Sequence, residues 1–204
     1  MGAEAEGRHR PAGGVRNGCR VVFLGPPGSG KGTQAAALAR ELGVPAISTG
    51  DMLREAVANG SELGRRVRRI MEAGELVGDD LMAEVVNERL EQRDTGRGFL
   101  LDGYPRTAAQ AETLRSILEG GRSTLDHVVF IDVPEEELVK RAILRQRGAD
   151  DKEDVVRERL RVYREKTEPL VDYYRGRGLL REIDGDRPVD EVRRSILHAL
   201  EAGR

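Results

Sequence analysis

The residues most plainly arranged for chemistry are those of LGPPGSGKGTQ, residues 24–34. Gly25 and Gly30 stand at the spacing G-x-x-x-x-G, Gly28 lies between them, and Lys31 follows directly. Glycines permit backbone angles that other residues resist, so successive N–H groups can converge on one anion. A helix starting at the lysine would add the positive end of its dipole, and Lys31 would add a mobile charge for outer phosphates. A bare glycine turn would need none of the flanking pattern. Here an apolar run precedes the loop and a helix-periodic stretch follows, which is the context a phosphate-binding loop requires. Gly28, Ser29, Gly30, Lys31, Gly32 and Thr33 are therefore candidate nucleotide-binding residues. Gly32 stands where the general motif carries a magnesium-binding Ser or Thr, and Thr33 comes one place later.

A second set of candidates is basic. The chain has 34 Lys and Arg; lysine occurs only at 31, 140, 152 and 166, so 30 are Arg. Arginine offers a planar, permanently charged fork suited to phosphate. Most of these side chains are expected on solvated helix faces, and position must select the rest. Arg106 follows DGYP at the end of an apolar run, and Arg54 opens a helical stretch just after a strand. Both fall at the edge where open α/β sheets bind ligands. Arg141 and Arg145 are four apart and share a helix face. Around Arg159, spacing alone leaves Arg157, Arg161 and Arg164 as rivals. The three histidines, His9, His127 and His198, fall in the tail, at a strand start and on the last helix, and read as exposed or packing side chains.

The elements that must position these residues alternate along the chain. Apolar runs at 19–25, 44–48, 98–103, 127–133 and 178–184 read as strands. Helical periodicity follows each. Gly43 stops the first helix, Asp79 or Gly78 caps the one carrying Leu81, Val85, Val86 and Leu90, and Pro134 opens another at its first turn. A single long helix is expected from 154 to about 175. Strands alternating with helices imply an α/β fold, a five-stranded parallel sheet with helices on both faces, of the P-loop NTPase type.

Composition bounds the rest. The 204 residues fit one domain, with 38% hydrophobic and 34% charged residues. Aromatics are 3%, tryptophan is absent and the formal charge is −2, which argues against nucleic-acid binding. One cysteine, Cys19, excludes an internal disulfide and a multi-cysteine zinc site. No apolar run has the length of a membrane span. Residues 1–19 lack apolar periodicity and an apolar signal core, and they carry Glu4 and Glu6. They read as a disordered tail of a cytoplasmic protein.

GPPGSGKGTQ resembles the loop of the nucleoside monophosphate kinases, and of adenylate kinases in particular. STGDMLR (48–54), ELVGDD (75–80) and LLDGYPRTAAQAE (100–112) resemble further segments of that family in the same order, and the likeness runs from about 20 to 202. It implies transfer of a phosphoryl group from Mg·ATP to AMP, giving two ADP, by a monomer. It implies a monophosphate-binding subdomain at 49–78 and a short lid at 145–154, within a domain spanning 20–204. By similarity, Thr49 and Gln110 contact the AMP adenine, and Arg54 and Arg106 grip its phosphate. Val77 and Gly103 line its pocket, and Asp102 holds magnesium through water. Arg141 stacks on the ATP adenine, while Arg145 and Arg159 bridge the reacting phosphates. Arg147 takes the lid-arginine role, although it stands three residues before Asp150 where the family has two. The lid is too short for the β-rich form and has no cysteines for zinc. Gly60, Gly64, Gly74, Gly78 and Gly148 are hinge candidates. A kinase for UMP or CMP, an ATP-binding switch without a second substrate, and an inactive member are the competing readings.

Overall fold

The computed structural model describes residues 19–144 and 153–202. Five strands form one sheet in which every neighbouring pair is parallel. They are β1 (Cys19–Leu24), β2 (Ala46–Ser48), β3 (Gly98–Asp102), β4 (His127–Asp132) and β5 (Leu180–Asp184), in the spatial order β2-β3-β1-β4-β5. The expected fold class is what the chain adopts. After β1 the chain builds one flank of the sheet, then crosses to the other. The central strand therefore lies at a reversal of strand order, where such sheets open a crevice at their C-terminal ends.

Strand side chains alternate between two cores, because successive residues of a strand point to opposite faces. Cys19, Val21 and Phe23 of β1, with Leu100, Val129, Ile131 and Ile183, face α1 (Lys31–Leu42), α6 (Glu135–Leu144), α7 (Glu153–Val162) and α9 (Val189–Ala202). Val22, Leu24, Ile47, Phe99, Leu101 and Val128 face the other way. There they pack on α2 (Thr49–Ala58), α3 (Glu62–Glu72), α4 (Asp79–Leu90), α5 (Ala108–Gly120) and α8 (Pro169–Arg175). The inner strands β1, β3 and β4 are covered on both faces and so read as nearly unbroken apolar runs, whereas the edge strand β5 carries Arg181 and Glu182 and is only partly buried. His127 is buried at the start of β4 and His198 is exposed on α9.

Two local expectations need correction, and the choice between two cap residues is decided. The single helix expected from 154 is divided into α7, a π-helical turn at Tyr163–Thr167, and α8. Pro169 is the cause, since it has no N–H and its ring displaces the carbonyl four residues back. The N–H of Glu168 reaches instead to the carbonyl of Tyr163 at 2.9 Å. At the start of α4, Gly78 holds the cap position without a side-chain bond, and Asp79 is the first helical residue, its carboxylate turned elsewhere. Gly64 is a packing position rather than a hinge. A Cβ there would fall 2.0 Å from the carbonyl oxygen of Ala56, so the glycine is what lets α3 cross α2 at backbone contact. Gly60 and Gly74, with φ of 62° and 77°, do end helices in left-handed turns. Gly148 lies outside the described residues.

Candidate active site

The loop between β1 and α1 wraps the C-terminal end of the central strand. Gly28 has φ of 90°, and a Cβ on it would stand 2.7 Å from the carbonyl oxygen of Leu138 in α6. No larger residue fits that bend. Gly30 caps α1 and Lys31 is its first residue, so first-turn N–H groups that a helix cannot pair with its own carbonyls face the loop. Lys31 folds back over the loop and donates from Nζ to the carbonyl of Pro26 at 2.9 Å.

Around this loop lies a cleft of about 520 Å3. Its lining includes Gly28, Ser29, Gly30, Lys31, Gly32 and Thr33. It includes as well the basic side chains of Arg54, Arg106, Arg141, Arg159 and Arg187, against the carboxylates of Asp51 and Asp102 among the described residues. Six cations facing two anions make a pocket that attracts a polyanion. A smaller recess of about 60 Å3 continues it, lined by Thr49, Val77, Met82, Gly103 and Gln110, and shares Arg54, Arg106 and Arg159 with the main cleft. Every candidate residue within the described segments thus lines one of two joined hollows. Arg145 and Arg147 lie outside the described residues.

Each arginine is aimed by its neighbours. Arg54, on α2, is paired through Nη2 with Asp51 at 2.6 Å. Arg106 donates from Nε to the carbonyl of Gly103 at 2.7 Å. Its own backbone N–H donates to Oε1 of Gln110 at 2.8 Å, and its carbonyl accepts the hydroxyl of Thr167 at 2.9 Å. Arg141 binds Glu137 at 2.9 Å, the carbonyl of Gly185 at 3.1 Å and Asp186 at 3.3 Å. Those contacts hold its guanidinium at the wall of the cleft. Arg159 comes from α7, and a Cβ on Gly74 would stand 3.1 Å from its Cγ, so it reaches the turn beyond α3.

The remaining candidates form the floor. Gly103 has φ of 86°, and a Cβ there would meet Oγ1 of Thr49 at 2.6 Å. Thr49 is buried, with its hydroxyl 3.4 Å from the carbonyl of Asp102. The Asp102 carboxylate lies beside the start of α1, 3.3 Å from where a Cβ on Gly32 would be. A carboxylate next to a phosphate-binding loop suits a hard cation such as magnesium. Among the described residues no group of three or more His, Cys, Asp or Glu is placed to hold an ion. The Tyr104 hydroxyl is pushed up to about 12, by burial first and the Asp79 charge second, so it stays protonated.

Sequence reasoning missed three residues here. Arg187 follows β5 and falls at the same sheet edge as Arg106, a signal that was available. Thr167 and Asp79 act on Arg106 and Gln110 across 61 and 31 residues; no local pattern marks Thr167, and Asp79, though it stands in ELVGDD and among the cap candidates, has nothing local that ties it to Gln110.

The parallel sheet, the glycine loop after its central strand and the cation-lined cleft define a P-loop nucleotide-binding protein. A family model described as adenylate kinase matches residues 23–179. An adenylate kinase of Archaeoglobus fulgidus is 46% identical over 211 aligned residues, covering 89% of this chain and 97% of the relative. One from Thermus thermophilus is 53% identical over 186, covering 90% and 97%. One from Nocardia farcinica is 50% identical over 181, covering 89% and 98%. The chain belongs to the adenylate kinase family, a family of enzymes.

Proposed function

We propose that this chain moves the terminal phosphoryl group of Mg·ATP to AMP, reversibly, giving two ADP. The observation that carries the proposal is the joined pair of hollows, one at the phosphate-binding loop and one at Thr49 and Gln110, with Arg54, Arg106 and Arg159 common to both. An ATP-binding switch has no need of the second hollow.

Phosphoryl transfer asks a protein mainly for alignment and charge stabilisation. ATP lies with its phosphates along residues 28–33 and Lys31, and its base against the face of Arg141. AMP lies with its base at Thr49 and Gln110, its ribose side at Val77 and Gly103, and its phosphate at Arg54 and Arg106. An AMP phosphate oxygen attacks the terminal phosphorus, and the bond from that phosphorus to the bridging oxygen of ADP breaks. The oxygen needs no general base, because a phosphate monoester has its second pKa at about 6 and is ionised at neutral pH. Arg106 and Arg159, with Lys31, offset the charge shared among three equatorial oxygens. Arg145 and Arg147 join them, on the resemblance alone. Magnesium supplies further neutralisation of phosphate oxygens, with Asp102 as its carboxylate through water. Residues 49–78 act as the monophosphate-binding subdomain and 145–154 as a short lid that limits hydrolysis by water. The protein works as a cytoplasmic monomer. Among the described residues no helix is long and apolar enough to cross a membrane.

The test is ADP formation from Mg·ATP with AMP, CMP, UMP or GMP as acceptor. Turnover with AMP alone is expected, lost in Lys31→Ala. Preference for a pyrimidine monophosphate would keep the mechanism and remove the roles given to Thr49 and Gln110. Binding of ATP without turnover of any acceptor would overturn the enzymatic reading.

A further inference from the structure

Gln110 is buried at the start of α5, and both ends of its amide are engaged. Oε1 accepts from the backbone N–H of Arg106 at 2.8 Å, and Nε2 donates to Oδ1 of Asp79 at 2.8 Å. A backbone N–H can only donate and a carboxylate can only accept, so the two partners dictate which end of the amide is which. Asp79 is itself held. The Thr107 hydroxyl lies 3.2 and 3.3 Å from its two oxygens, and its place in the first turn of α4 favours a negative charge.

We propose that Asp79 is a positioning residue that sets the base specificity of the acceptor site by fixing the orientation of the Gln110 amide. This rests on the proposed reading in which Gln110 faces the AMP base. After the two bonds above, one N–H of Nε2 and one lone pair of Oε1 remain. That donor–acceptor pair matches adenine, whose 6-amino group donates beside a ring nitrogen that accepts. Hypoxanthine reverses the pattern, with a 6-carbonyl that accepts beside a ring N–H that donates. An amide free to turn end for end reads either base. The amide seen here cannot turn without setting Nε2 against the Arg106 N–H and Oε1 against the Asp79 carboxylate, two repulsive contacts. Removing the carboxylate abolishes one of them.

The experiment compares AMP and IMP as acceptors at saturating Mg·ATP, for the wild type and for Asp79→Ala and Asp79→Asn, with thermal melts run alongside. In Asp79→Ala the KM for AMP is expected to rise about three- to tenfold, with kcat and the KM for ATP little changed. The ratio of kcat/KM for AMP over IMP is expected to fall at least about fivefold. Asp79→Asn, whose carbonyl still accepts from Nε2, keeps most of the discrimination. Asp79→Ser, with a hydroxyl that suits the helix start but donates as well as accepts, carries the same expectation as alanine if that variant does not fold. In a Gln110→Leu background, Asp79→Ala is expected to leave the ratio alone. A folded alanine or serine variant with an unmoved AMP-over-IMP ratio overturns the inference, as does an equal shift in the Gln110→Leu background. If the wild type does not phosphorylate AMP, the proposed activity itself fails and the inference falls with it. If the wild type prefers AMP and the ratio does not respond to Asp79, the inference alone fails.

Discussion

At the residue scale, Arg106 is held at three of its own atoms, Nε by the Gly103 carbonyl, N–H by Gln110 and carbonyl by Thr167. A guanidinium fixed before substrate arrives needs little reorganisation as charge develops, and such preorganised donors contribute most to charge stabilisation. Arg106→Lys keeps the charge and loses the fork, so kcat is expected to fall about 10²-fold, on the scale of losing one preorganised donor. Thr167→Val keeps the shape and removes the hydroxyl that binds the Arg106 carbonyl. We expect a loss of about 1 kcal/mol in stability, read from urea unfolding, with a fall in kcat and little change in the KM for ATP. An unchanged kcat would mean that Thr167 serves packing only. Lys31, Arg106 and Asp102 were legible in the sequence because each sits in a short motif at the end of a strand. Thr167 and the link from Asp79 to Gln110 were not, because hydrogen bonds over long sequence separations leave no periodic or compositional trace.

At the element scale, the α2–α3 pair shows how a helix crossing is encoded. Gly64 occupies the crossing point, and a Cβ there would overlap the Ala56 carbonyl. Backbone cannot move aside as a flexible side chain can, so Gly64→Ala forces the helices apart. The expected destabilisation is about 1–3 kcal/mol, the usual range for overpacking. It should be accompanied by a raised KM for AMP and an unchanged KM for ATP, since α2 carries Thr49 and Arg54 while the phosphate-binding loop lies on α1. Equal effects on both substrates would argue for global loosening instead. Gly64 read as a hinge because a glycine in a helix-breaking stretch, NGSELG, looks the same whether it bends or packs. The inner strands β1, β3 and β4 were plain because burial on two faces demands nearly unbroken apolar runs, while the edge strand β5, with Arg181 and Glu182, was legible from its place between helical stretches. The π turn was missed because periodicity over 153–175 continues through it, and only Pro169 signals the break.

At the scale of the whole molecule, the arginines divide into two populations that composition could not separate. Those lining the cleft converge on one hollow, Arg54 and Arg141 held there by Asp51 and Glu137, while others pair along helices away from it, as in Arg115 with Glu112 and Glu119, Arg157 with Glu153, and Arg161 with Glu158 and Glu165. The surface pairs lower carboxylates. Glu137 is held down by Arg141, Glu158 by Arg161 and Asp94 by Arg89. Glu112 is lowered by the Tyr173 hydroxyl first and Arg115 next, and Asp184 by the Asp186 N–H first and Arg187 next. A carboxylate whose folded pKa lies below its unfolded value adds stability that is complete above the unfolded value, about 4, and is lost as pH falls through the folded one. Each pair is exposed or half-buried and still reached by solvent, so the sum is modest and weakens with salt. Activity should fail earlier. Free AMP takes up a proton on its attacking oxygen at about pH 6, and Arg54 and Arg106 favour the dianion once it is bound, so the acid limb at about pH 6 belongs to kcat/KM for AMP. Two separate transitions are therefore expected: kcat/KM for AMP halved at about pH 6 with an unchanged urea midpoint, and a falling urea midpoint only below about pH 4.5. High salt should flatten the second transition and leave the first in place. If turnover and stability decline together as pH is lowered, substrate ionisation is not what limits the reaction in acid, and a titrating group of the protein must be sought.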